Sequence, residues 1–188
     1  MRKATISLGR MNPITRGHYR MIREVINIAK QNNSTPMVFI IDGLKSGMDK
    51  SKNPLTGEER KSIIKKLFPD LYVDIINSAY DVFDVLYIQG YEIDVLVAGS
   101  DRADNYEKML NTYSTFGKIF SLDRNIKEYD GVSGTAARLA VSNNDFTSFK
   151  NIMPSDFDQL MLEYIFERIS EGLNHEQFKQ NYRGTSTN

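Results

Sequence analysis

The sequence predicts an α/β protein, a doubly wound parallel sheet of about five strands with helices on both faces. Three observations point there. Apolar runs of strand length alternate with segments whose apolar residues recur at helical spacing. Met37 to Ile41 is apolar throughout, as a strand buried on both faces is. Gly9 and Gly99 each fall at the carboxyl end of a strand-like run, the edge at which such sheets hold ligands.

The elements follow in order. Ile6 and Leu8 alternate with Thr5 and Ser7 as in a short strand, and Met21, Ile22, Val25, Ile26 and Ala29 then mark a helix, so Gly17 and His18 fall where strand hands over to helix. Met37 to Ile41 is the second strand, and Asp42 to Pro54 is a loop by its Gly, Pro and Lys content. Thr56-Gly57-Glu58-Glu59 has the spacing of a capping box and opens a helix with Ile63, Ile64 and Leu67 on one face. Leu71 to Ile76 and Asp94 to Ala98 read as strands, separated by a helix from Asp81 to Gln89 that Gly90 can terminate. Lys118 to Leu122 is a fifth strand. The polar stretch from Asp123 to Gly131 then delivers Ser133 to another helix start, followed by Leu139, Ala140 and Val141. This alternation is Rossmann-like.

Beyond it, Asn144 to Met153 reads as a helix and Pro154-Ser155-Asp156 as a break. Phe157, Leu160, Met161, Tyr164, Ile165 and Ile169 line one side of a last helix that packs on the domain. The expected organisation is a core domain over 1–142, a helical extension over 143–172 and a polar, partly disordered tail over 173–188, with no internal repeat. His175 lies in that tail and is assigned no role.

Composition narrows the functional classes. Lys plus Arg and Asp plus Glu both number 24, so no global basic field draws the chain to nucleic acid or anionic membrane, and any affinity for phosphate must be local. The absence of Cys excludes a disulfide framework and a thiolate zinc site, and two His residues leave few metal ligands. The amino terminus enters a strand without an apolar leader and no run has the length of a membrane span, so a cytoplasmic location is expected.

The most informative stretch is Gly9-Arg10-Met11-Asn12-Pro13-Ile14-Thr15-Arg16-Gly17-His18. The first turn of a helix offers unpaired N–H groups and the positive end of its dipole, which together hold a polyphosphate. Gly17 has no Cβ to obstruct that approach, and His18 can donate to a phosphate oxygen whose charge grows during reaction. Thr15-Arg16-Gly17-His18 resembles the (H/T)xGH signature of the nucleotidyltransferase superfamily, with Thr15 in place of the first His, as in the phosphopantetheine adenylyltransferase branch. Ser133-Gly134-Thr135-Ala136-Ala137-Arg138 resembles the superfamily's (S)(S/G)TxxR segment, also at a helix start.

The resemblance implies a transfer of AMP from ATP to a phosphate-bearing acceptor, with release of pyrophosphate. It assigns His18 to the α-phosphate, Arg138 to the departing pyrophosphate, and the first loop (Gly9, Arg10, Met11, Asn12, Gly17) with Ser133, Gly134 and Thr135 to the nucleotide. Thr15 is expected to contact a substrate phosphate. Gly99-Ser100-Asp101-Arg102 looks like the G(S/A)D element that faces the nucleotide or acceptor. A substrate- or phosphate-binding lysine after the second strand is Lys45 or, further along, Lys52. Mg²⁺ is expected to accompany the triphosphate, and a homo-oligomer stays open.

Asn53-Pro54-Leu55-Thr56-Gly57-Glu58-Glu59-Arg60 is close to the NPxTxxER segment of archaeal-type nicotinamide mononucleotide adenylyltransferases. With SGTxxR it favours nicotinamide mononucleotide as acceptor and NAD as product. Phosphopantetheine adenylyltransferase, FMN adenylyltransferase and cytidylyltransferases are the alternatives, together with a non-catalytic nucleotide-binding module of the same fold. Class I aminoacyl-tRNA synthetases are set aside, because Met48-Asp49-Lys50-Ser51-Lys52 falls between early strands and not after the nucleotide-binding fold.

Overall fold

The structure is a computed structural model that describes residues 1–44, 48–113, 116–123 and 130–183, with side chains through residue 174. Five strands, β1 (Arg2–Gly9), β2 (Thr35–Ile41), β3 (Tyr72–Ile76), β4 (Tyr91–Gly99) and β5 (Lys118–Leu122), form one sheet in the order β3-β2-β1-β4-β5. Every pairing is parallel. The helices are α1 (Arg16–Asn32), α2 (Gly57–Leu67), α3 (Asp81–Ile88), α4 (Ala103–Tyr113), α5 (Gly134–Ser142), α6 (Phe146–Ile152) and α7 (Gln159–Arg183).

Side-chain alternation divides the core between the two faces. Met37 and Phe39 of β2 join Ala4, Ile6, Leu8, Leu86 and Leu110 on the side covered by α3 and α4. Val38 and Ile40 point the other way, into a core shared with Ile22 of α1, Ile63 and Ile64 of α2, and the carboxyl-terminal helices. Thr5 and Ser7 are not a solvent face as alternation would suggest. Both are fully buried, and the Thr5 hydroxyl is 2.7 Å from that of Ser34 just after α1, so small polar side chains here let α1 approach the sheet.

The capping box of α2 forms as its spacing predicts: Glu59 N–H donates to Thr56 Oγ1 and Thr56 N–H to Glu59 Oε2. Gly90 follows α3 with φ +76°, the left-handed conformation that ends a helix at little cost for glycine. Over residues 103–117 the sequence predicts no element, and α4 occupies most of that stretch. Its buried face is only Ala103, Met109 and Leu110, too short an apolar stripe to stand out.

The last helix departs from expectation in two ways. Leu160 and Tyr164 are exposed, whereas Leu162, Ile165 and Ile169 are buried, so the packing face is rotated from the one read in the sequence. The helix also passes Gly172 and runs on to Arg183, where a polar tail was expected from 173. Gly172 is a point of close packing: a Cβ there would stand 2.5 Å from the Pro54 carbonyl oxygen. The remaining tail residues, 184–188, and the His175 side chain lie outside the described residues. Among the described residues no helix is long and apolar enough to cross a membrane.

Candidate functional site

The sheet reverses its order at β1 and β4, and the crevice beyond the carboxyl ends of these strands is where doubly wound folds bind ligands. A cleft of about 550 Å³ opens there. It gathers the first loop (Gly9, Arg10, Met11, Asn12), His18 of α1, Lys52, the β4 end (Gly99, Asp101, Arg102) and the start of α5 (Ser133, Gly134, Thr135, Arg138). The first and last of these segments lie more than a hundred residues apart in sequence. Gly17 lines a neighbouring hollow of about 120 Å³ with Arg20, Met21, Gly99 and Leu122.

His18 is fixed from below. The Thr15 N–H donates to His18 Nδ1 at 3.1 Å and the Thr15 hydroxyl lies 3.0 Å from the same nitrogen. A ring nitrogen that accepts from a backbone N–H carries no proton, so the proton belongs on Nε2. Threonine at the N-cap and histidine at N3 thus reproduce a capping box with imidazole in the role usually taken by glutamate. Thr15 itself is fully buried and is not part of the cleft lining; its hydroxyl is turned to His18.

Asn12 is likewise committed to structure. Its amide donates to the Leu55 carbonyl at 2.8 Å and accepts from the Leu55 N–H at 3.2 Å, so the side chain ties the first loop to the segment before α2. Met11 keeps this loop tight with φ +48°, an uncommon conformation for a residue other than glycine.

Arg138 reaches across from α5. Its Nη1 donates to the Asn12 carbonyl at 2.7 Å and its Nη2 to the Thr135 hydroxyl at 3.1 Å. Gly134 eases the close approach: a Cβ there would lie 3.3 Å from the Asn12 carbonyl oxygen and 3.2 Å from Arg138 Nη1. Ser133 caps the helix, its hydroxyl accepting from the Ala136 N–H at 3.0 Å. Burial, and next the positive charge of Arg10, pull the Arg138 guanidinium below its ordinary pKa, yet an arginine stays cationic. The lining carries four cationic side chains (Arg10, Lys52, Arg102, Arg138) against one carboxylate, Asp101, in a chain with no net charge.

Lys52 lines the cleft and pairs with Asp49 at 3.3 Å, whereas Lys45 lies outside the described residues. Ser100 is exposed at the β4 end, its N–H donating to the Leu122 carbonyl at 2.9 Å. Among the described residues no three His, Cys, Asp or Glu side chains cluster as a metal site.

A sheet switch, two helix starts and a local cationic surface suit a nucleotide, and residues 6–140 match the cytidylyltransferase-like family. The chain belongs to that family. Membership places this cytidylyltransferase-like protein in the nucleotidyltransferase superfamily. No curated protein matches its sequence. In fold it is similar to nicotinic acid mononucleotide adenylyltransferase of Plasmodium falciparum complexed with NaAD, with TM-score 0.57 and 13% identity over 89% of this chain and 96% of that one. The same parasite protein complexed with APC gives TM-score 0.56 at 13% identity over the same shares of the two chains. A macrolide-efflux protein from Streptococcus pneumoniae gives TM-score 0.56 at 16% identity over 81% of this chain, which spans only 56% of that one.

Two residues of this cytidylyltransferase-like domain to which the sequence assigns no site role stand at the cleft or beneath it, although Arg60 closes the segment close to NPxTxxER. Tyr106 lines the cleft, its hydroxyl donating to the Leu8 carbonyl at 3.4 Å, and burial raises its pKa. It sits on α4, where the sequence predicts no element. Arg60 is 1% exposed beneath the first loop. Its signal was present, since Thr56, Arg60, Ile63, Ile64 and Leu67 share helical spacing, but an arginine in an apolar stripe reads as a surface residue.

Proposed function

We propose that the protein transfers AMP from ATP to nicotinamide mononucleotide, releasing pyrophosphate and forming NAD. The observation that carries this reading is the convergence of His18, Arg138 and the α5 start on one cationic cleft at the sheet switch. An oxygen of the acceptor phosphate attacks the α-phosphorus in line, the bond to the bridging oxygen breaks, and pyrophosphate departs with its electron pair. Two anions have to meet, so rate comes from positioning and from charge placed to receive charge. His18, with its proton on Nε2, donates to the α-phosphate oxygens. Arg138 and the N–H groups at the start of α5 hold the two outer phosphates. Magnesium enters with the triphosphate as part of the substrate.

Asp101, Arg102 and Tyr106 all line the cleft, with Asp101 and Arg102 3.9 Å apart, and a wall of this chemistry supports a pyridine nucleotide as acceptor. Nicotinamide mononucleotide carries a phosphate anion and a pyridinium cation. A tyrosine ring and a carboxylate suit the cation, and an arginine suits the phosphate. Phosphopantetheine offers no cation to such a wall. The Plasmodium falciparum neighbour acts, by its name, on a mononucleotide of the same class. The test is incubation of the purified protein with Mg²⁺, ATP and nicotinamide mononucleotide, with NAD followed by mass spectrometry. NAD formed in step with pyrophosphate bears the reading out, and pyrophosphate formed only with another acceptor contradicts it.

A further inference from the structure

Arg10, Asn12 and Ile41 line the cleft, and the backbone carbonyl of each is held by a guanidinium. Arg138 takes that of Asn12. The other two belong to Arg60, whose Nη1 donates to the Arg10 carbonyl at 2.5 Å and to the Ile41 carbonyl at 3.2 Å. Its Nε donates to the Thr56 carbonyl at 3.2 Å, and its Nη2 pairs with the Asp42 carboxylate. The second oxygen of Asp42 accepts the Gly57 N–H at 2.9 Å, at a point where a Cβ would stand 2.6 Å away. One buried arginine thus joins the ends of β1 and β2 to the start of α2.

Stability alone gives a weak reason for this arrangement. Desolvating a guanidinium and a carboxylate is costly, and an apolar pair of similar size is often as stable or more so. The chemistry of the cleft gives a better one. A carbonyl oxygen bears partial negative charge, and one free to swing toward a triphosphate repels it. Held by a guanidinium, the same carbonyl is turned aside, and the neighbouring N–H groups keep their aim.

We infer that Arg60 is a positioning residue for the transfer: it withdraws the Arg10 and Ile41 carbonyls from the anion and sets the loop that carries Arg10 to Asn12. This rests on the proposed nucleotidyl transfer and extends it to a side chain that substrate does not reach. A displacement of about 1 Å at reacting groups costs on the order of a hundredfold in rate.

The test compares wild type, Arg60→Lys and Arg60→Met well below each melting temperature, with two readouts: steady-state kinetics, and calorimetric affinity for inorganic tripolyphosphate. Lysine keeps the charge but cannot span both carbonyls. We expect kcat to fall about tenfold in Arg60→Lys and about a hundredfold in Arg60→Met, with KM for ATP rising and tripolyphosphate affinity falling about tenfold in both. If Arg60→Met does not fold, Arg60→Lys decides. Wild-type kcat and wild-type tripolyphosphate affinity in Arg60→Lys would overturn the inference, because a purely structural arginine moves neither below the melting temperature. If the wild-type protein releases no pyrophosphate, the transfer reading fails and the tripolyphosphate arm alone decides the role of Arg60. A tenfold loss then upholds its control of the anion loop, and an unchanged affinity or no wild-type binding overturns it.

Discussion

The backbone N–H of Thr15 and the side chain of Thr15 both converge on Nδ1 of His18, at 3.1 and 3.0 Å. Helix capping and orientation of the candidate catalytic imidazole are therefore one structural device. The residue that begins α1 also decides which ring nitrogen of His18 carries the proton.

Replacing His18 by Ala is expected to lower kcat by on the order of a hundredfold while nucleotide affinity changes little, since a donor aimed at developing charge acts in the transition state. Thr15→Val, which keeps the backbone donor but removes the hydroxyl, should lower kcat about tenfold, and Thr15→Ser should restore it. Steady-state kinetics with calorimetric nucleotide affinities check all three variants. A fall in affinity equal to the fall in kcat would place His18 in ground-state binding instead.

Arg138→Ala is expected to weaken ATP binding and turnover together, because the phosphate contact proposed for it would be made both before and during the reaction. The change also frees the Asn12 carbonyl. Calorimetry with ATP checks this, and an unaltered affinity removes Arg138 from the triphosphate.

The fold and part of the site were legible because they depend on local patterns. Met37 to Ile41 announces a doubly buried strand, Thr56 and Glu59 announce a capping box, and Thr15 to His18 and Ser133 to Arg138 announce helix starts, which the fold brings to one cleft. Other contacts around the cleft depend on long-range pairing. Nothing near Asn12 reveals that its amide is spent on Leu55, and nothing near Arg60 reveals the Arg10 carbonyl above it. Gly172 reads locally as a helix end, yet its role is set by Pro54, which the fold brings against it.

Gly172→Ala is expected to destabilise the protein by about 1 to 3 kcal/mol, the usual cost of forcing an extra carbon into a packed contact. The Pro54 backbone cannot yield without moving Leu55 and, through it, Asn12. Denaturant unfolding checks the magnitude, and a wild-type midpoint would show that α7 is not seated against this segment.

Arg168 of α7 donates to Glu59, the N3 residue of the α2 capping box. Burial pushes the Glu59 carboxyl up, but the hydrogen bonds from Thr56 and Arg168 and the charge of Arg168 outweigh it, leaving its pKa below the ordinary 4.5. A carboxyl with a depressed folded-state pKa contributes stability that is present above 4.5 and is lost as pH falls through the lower folded value. The melting temperature of Glu59→Gln is therefore expected to lie below wild type at neutral pH and to converge on it in acid. A gap that is constant with pH would mean that ionisation of Glu59 does not stabilise the fold.

The most direct measurement is pyrophosphate release by the wild-type and His18→Ala proteins side by side, with Mg²⁺ and ATP or CTP, against nicotinamide mononucleotide, its acid form, phosphopantetheine, flavin mononucleotide and glycerol 3-phosphate. The account predicts release by the wild type with ATP and nicotinamide mononucleotide, NAD in equal amount, and about a hundredfold slower release by His18→Ala. Silence of the wild-type protein across every pair, with a nucleotide still bound by calorimetry, would contradict it.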